Sequence, residues 1–190
     1  MGFFAVQASY EGLNYVFGPS ESISFIFREK YTSNIELVRT HGVCSVTALC
    51  LGLVAFVQET RRRKVHAWVG RVYALGVLIG GLTAIPMALM AEGGWSTRIA
   101  FLLQAGCWMG TMIWAVRAAR ARKMVLHRRS MIRNYSITYS AVISRLLLHG
   151  LQSSGLEFQQ IYPFISWTWV LGLMVGEWWI WYSDGEGQPG

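Results

Sequence analysis

Two short stretches gather the side chains able to do chemistry. In residues 61–73, RRRKVHAWVGRVY, four consecutive cations precede His66, Arg71 and Tyr73. In residues 120–135, RARKMVLHRRSMIRNY, a second cation cluster precedes His127, Arg133 and Tyr135. A neutral imidazole is a metal ligand, and two facing imidazoles are the simplest axial set for a haem iron in a helical bundle. On this reading His66 and His127 are the metal ligands and haem b is the cofactor. Arg71 and Arg133 would meet the propionates, because arginine pairs bidentately with carboxylate. The same groups at a membrane interface would also suit a quinone or lipid headgroup, or simply meet lipid phosphates and water.

His41 and His149 offer a second, outer pair. Two histidine pairs on opposite faces are what a transmembrane electron carrier needs. His127 and His149 lie 22 residues apart, which in one helix is about 33 Å, roughly the whole hydrocarbon thickness.

Arg145 stands between VIS and LLL, inside an apolar run. A cation there costs about 3 kcal/mol or more on insertion scales, so it needs a partner or a wet cavity. Glu177, the one acid within any apolar run, is the expected partner. The pair reads either as a structural bridge or as a proton or substrate site. Glu177 beside Trp178, Trp179 and Trp181 would suit a general acid, as in an intramembrane cyclase of apolar substrates, or a transporter.

These residues need a scaffold, and composition names it. The 190 residues are 53% hydrophobic and 14% charged, with a mean hydropathy of +0.35; soluble domains carry about 25% charged residues. The expected fold is an all-α integral membrane bundle of about five transmembrane helices, two antiparallel hairpins plus a C-terminal span. The spans are placed at 40–57, 68–90, 98–116, 135–151 and 161–182. Residues 1–39 read as an interfacial or extramembrane segment and 183–190 as a polar tail. Pro86 should kink the second span near its end. Gly76-x-x-x-Gly80, Ala84-x-x-x-Ala88 and Gly106-x-x-x-Gly110 are small-residue faces that let helices approach, within the chain, in a homodimer or against a membrane-protein partner.

The net charge of +7 is concentrated between apolar runs, which is a topology signal rather than a nucleic-acid footprint. One loop holds Arg61, Arg62, Arg63 and Lys64 against Glu59. The other holds Arg117, Arg120, Arg122, Lys123, Arg128, Arg129 and Arg133 against no acid. Both are expected in the cytoplasm, with the N-terminus outside and the C-terminus inside. The two hairpins resemble a weak internal repeat that aligns His66 with His127. Cys44, Cys50 and Cys107 lie in apolar runs and read as packing residues. No GxGxxG, Walker A, HExxH, zinc-spaced Cys/His set or GxSxG occurs, which disfavours nucleotide, hydrolase and zinc chemistry.

Over residues 41–145 the chain resembles a bacterial-type family of multi-pass membrane proteins built on a domain of unknown function. The resemblance is carried by His41 opening a span, Gly52 and Gln58 closing it, His66-x-x-x-Gly70-Arg71-x-Tyr73, Trp114, and His127-x-x-x-Met131-x-Arg133 leading to Arg145. It implies an integral membrane protein and brings no activity with it. The four-histidine layout is also similar in outline to cytochrome b561-type haem proteins. Besides the redox reading, a non-catalytic accessory or assembly subunit of a membrane complex fits the small-residue faces.

Overall fold

Hydrophobic runs separated by cation-rich or glycine-rich breaks fold into consecutive helices, because a helix satisfies its backbone within one segment and without water. The computed structural model describes residues 32–58 and 63–185. Among these residues six helices follow in order: α1 (Ile35–Gln58), α2 (Arg63–Leu89), α3 (Gly94–Arg120), α4 (Met124–Ser153), α5 (Phe158–Ile165) and α6 (Thr168–Gly185). The described residues contain no strand. The expected all-α class holds. Three helices, over Ile35–Ala55, Lys64–Leu89 and Gly94–Arg120, are long and apolar enough to cross a membrane.

The chain divides into two units, Met1–Glu92 and Gly93–Gly190. In the first, α1 and α2 pack as a hairpin. Ala48 and Leu49 of α1 and Tyr73 and Val77 of α2 are buried. Close approach is set by Gly76: a Cβ there would lie 3.1 Å from the Cys44 carbonyl oxygen. The helix runs through Pro86, which cannot donate to the carbonyl four residues back.

In the second unit α4 is central and touches α3, α5 and α6. α3 buries Thr97, Ala100, Ala105, Trp108, Met112, Ala115 and Ala118, a spacing of three to five residues that keeps one face inward. A tight turn ends it, with Arg122 in the left-handed region at φ 58°. The Ala121, Arg122 and Lys123 amides donate to the carbonyls of Arg117, Ala119 and Ala118, which satisfies groups a helix end leaves unpaired.

The expected fifth span, 161–182, is not one helix. α5 ends at Ile165 and α6 begins at Thr168, with the Trp167 amide turned back to the Phe164 carbonyl at 3.1 Å. Pro163 lies inside α5 and withholds a backbone donor. The break decides the register of α6. That helix returns antiparallel along α4 with Gly172 and Gly176 against Ser136 and Ser140. A Cβ on Gly172 would meet the Ser136 carbonyl oxygen at 2.9 Å, and one on Gly176 the Ser136 hydroxyl at 2.6 Å. This Gly172-x-x-x-Gly176 face is the close-packing motif of the unit. Gly106 and Gly110, expected as another, have nothing within 4 Å of a built Cβ. The interfacial segment expected at 1–39 lies outside the described residues up to 31, and α1 begins at Ile35. Glu59, Arg61, Arg62 and the tail beyond Gly185 also lie outside them.

Candidate functional site

In each hairpin one imidazole reaches across to the facing helix. His127, at the start of α4, places Nδ1 2.9 Å from the Ala115 carbonyl oxygen of α3. His41 of α1 places Nδ1 2.9 Å from the Gly80 carbonyl oxygen of α2. A carbonyl only accepts, so each ring carries a proton on Nδ1, and in the neutral imidazole Nε2 keeps the lone pair. At His41 that lone pair faces the Ser45 hydroxyl, 3.3 Å away, and Thr83 Oγ1 lies 3.4 Å from Nδ1. The Nε2 of His127 meets no hydrogen-bonding group among the described residues. A ring held through Nδ1–H by a backbone carbonyl is the arrangement in which histidines commonly ligate metal through the other nitrogen.

His66 differs from both. Its Nδ1 is buried and has no hydrogen-bond partner among the described residues. The alignment of His66 with His127 is therefore not matched by a shared hydrogen bond. His41 and His127 are the alike pair instead, each bonding a backbone carbonyl of the helix that faces it. Arg71 is exposed and its guanidinium carbon stands 5.2 Å from the centre of the Trp68 ring, a cation–π contact. His149 is exposed near the far end of α4.

No two histidines within one unit are close along their helices. His127 and His149 are separated by most of α4, about 33 Å, and His66 precedes Gly80, the partner of His41, by about 21 Å of α2. Among the described residues no three His, Cys, Asp or Glu side chains gather as a metal site.

The expected Arg145–Glu177 pair is not formed. Glu177 is held by Arg133, through Nε to Oε1 and through Nη2 to Oε2 at 2.8 Å. Two turns further along α6, Asp184 accepts from Arg129 Nε at 2.8 Å and from Arg128 Nη1 at 3.3 Å. The reason is the register set by the 166–167 break. Glu177 lies beside Arg133, twelve residues or about 18 Å along α4 from Arg145. Arg145 is exposed and among the described residues reaches only the Ala141 carbonyl of its own helix, at 3.5 Å.

Between α3 and α4 lies a polar seam that composition alone does not announce. Asn134, wholly buried, donates to the Trp108 carbonyl at 2.6 Å and to Thr111 Oγ1 at 2.8 Å. The Trp108 indole N–H donates to Thr138 Oγ1 at 2.8 Å, and Thr138 donates to the Asn134 carbonyl at 3.0 Å. Asn134 and Thr138 follow His127 by two and three helical turns, so they share its face. That periodicity, and the polar residues in a nominal span, were the signals available for them.

These helices carry the pattern of a known family, whose model covers residues 38–180. The chain belongs to the DUF2306 family of predicted membrane proteins. The DUF2306 match runs from the second turn of α1 almost to the end of α6 and so takes in His41, His66, His127, Arg133, Arg145 and Glu177 together. It makes the chain an integral membrane protein, in agreement with the apolar helices. No curated protein matches the chain. No solved structure matches it either, so the outline likeness to cytochrome b561-type proteins gains no support there.

Proposed function

We propose that this DUF2306 member is a redox-linked membrane protein that binds haem b, with Nε2 of His127 as an axial ligand. One observation carries the reading: the Nδ1–H bond from His127 to the Ala115 carbonyl. It fixes the tautomer that ligates through Nε2, holds the ring plane, and raises the basicity of the ligating nitrogen. A single histidine suffices for a five-coordinate haem and two for a six-coordinate one. Arg133, expected at a propionate, has Nε and Nη2 engaged by Glu177, so its part is to tie α4 to α6.

The test is an absorption spectrum of the full chain purified in detergent, oxidised and dithionite-reduced. A Soret band that sharpens and shifts on reduction, and is lost in His127→Ala, is the expected result. The same spectra of His66→Ala, His41→Ala and His149→Ala variants report whether a second imidazole ligates. A colourless protein that fails to take up added haem overturns the reading.

A non-catalytic accessory subunit is the competing reading. It is favoured by the open Gly106 and Gly110 face of α3, beside exposed Leu103, Ile113 and Trp114. Small residues of this kind admit a second helix closely. A colourless protein that retains a stable membrane-protein partner through purification would support it.

A further inference from the structure

The cations between Arg117 and Arg133 divide into two sets. Arg128, Arg129 and Arg133 lie along α4 and are met by Asp184 and Glu177 of α6. Arg117, Arg120, Arg122 and Lys123 stand at the end of α3 and in the turn that follows, and all four are exposed. No carboxylate pairs with them among the described residues. The left-handed backbone at Arg122 makes the turn tight, which crowds four positive charges into one hairpin tip. Unrelieved like charges at such spacing repel one another, and an anionic partner removes that cost. The residues that follow are Met124 and Val125, 55% and 63% exposed. A tip of exposed cations followed by exposed apolar side chains matches a lipid headgroup layer, where cations meet phosphates and apolar groups reach the acyl boundary.

We infer that the tip formed by Arg117, Arg120, Arg122, Lys123, Met124 and Val125 is a docking surface for anionic phospholipid headgroups. The α6 carboxylates give it its selectivity. They neutralise the neighbouring arginines for packing and leave the tip set for phosphate. Arginine supplies forked donors to phosphate oxygens, and Lys123 a point charge. The inference does not depend on haem binding.

The experiment uses the full chain in detergent, offered phosphatidylglycerol and phosphatidylcholine at equal concentration, with retained lipid counted by native mass spectrometry. The expected result is preferential retention of phosphatidylglycerol, weakened by salt. Arg120→Gln or Lys123→Gln alone should each lower the preference about fivefold, and Arg120→Gln/Arg122→Gln/Lys123→Gln should abolish it with helix content unchanged. Arg98→Gln/Arg145→Gln, which removes two cations elsewhere, should leave it intact. Equal retention of the two lipids overturns the inference, as does a preference that survives the triple substitution. Displacement of phosphatidylglycerol by low millimolar inorganic phosphate would also overturn it, by showing a site for free anion rather than for lipid.

Discussion

Arg133 and Glu177 form a two-pronged ion pair that clamps α6 to α4. It turns the one acid of the α6 apolar run into a partner for Arg133 rather than for Arg145, twelve residues further along α4. Arg133→Gln and Glu177→Gln should each lower thermal stability in detergent, and the double substitution should cost less than their sum. Glu177 is about half exposed, so the coupling should be about 1 kcal/mol or less. Arg145→Gln should show no coupling to Glu177→Gln. A double-mutant cycle on detergent melting curves measures both.

Asn134 should matter more than either ion. It is wholly buried, and its amide is the donor that joins α4 to the Trp108 carbonyl and to Thr111. Asn134→Ala removes both donated bonds, although the Trp108 carbonyl keeps the Thr111 hydroxyl as a donor, and should cost about 1 kcal/mol for each bond lost. Asn134→Asp keeps the shape but cannot donate when ionised, and should be at least as damaging. Melting curves of both variants against Ser144→Ala, whose hydroxyl bonds only its own helix at Ala141, make the comparison.

The glycines of α6 and α3 should respond oppositely. Gly172→Ala places a methyl 2.9 Å from a backbone carbonyl that cannot swing away, so a loss of about 1–3 kcal/mol is expected. Gly176→Ala meets the Ser136 hydroxyl first and should cost less, because that side chain can rotate. Gly106→Ala and Gly110→Ala fill open space and should leave stability unchanged or raise it by up to about 1 kcal/mol, the helix propensity difference. Destabilisation by the α3 substitutions, accompanied by a smaller assembly on size exclusion, would instead mark that face as an interface.

The histidines should separate by their hydrogen bonds. His41→Ala removes the link from α1 to the Gly80 carbonyl and should loosen the first hairpin by about 1 kcal/mol. His41→Gln can restore a donor to Gly80 and should recover part of the loss. His127→Ala should cost about as much in the second unit, and it should also remove the haem spectrum if haem is bound there. Thermal melts and absorption spectra of the same preparations read the two effects independently.

Although α4 begins at Met124 rather than at 135 and the fifth expected span divides into α5 and α6, sequence by itself determined the class of the molecule and the order of its apolar runs. Those follow from the lengths of apolar runs and from breaks of charge, proline and glycine, which act locally along the chain. It also singled out the histidines and arginines, because polar groups in apolar runs are costly wherever they fall. Partner choice was decided by tertiary structure. Which cation Glu177 meets depends on where α6 starts, and the break at residues 166–167 sets that start inside a run that is apolar on both sides of it. The Asn134–Trp108–Thr138 seam depends on which face of α4 meets α3, a matter of helix rotation that residue types alone leave open. The value of a Gly-x-x-x-Gly pair likewise depends on whether another backbone lies against it: Gly172 and Gly176 have one and Gly106 and Gly110 do not, although the spacing is the same.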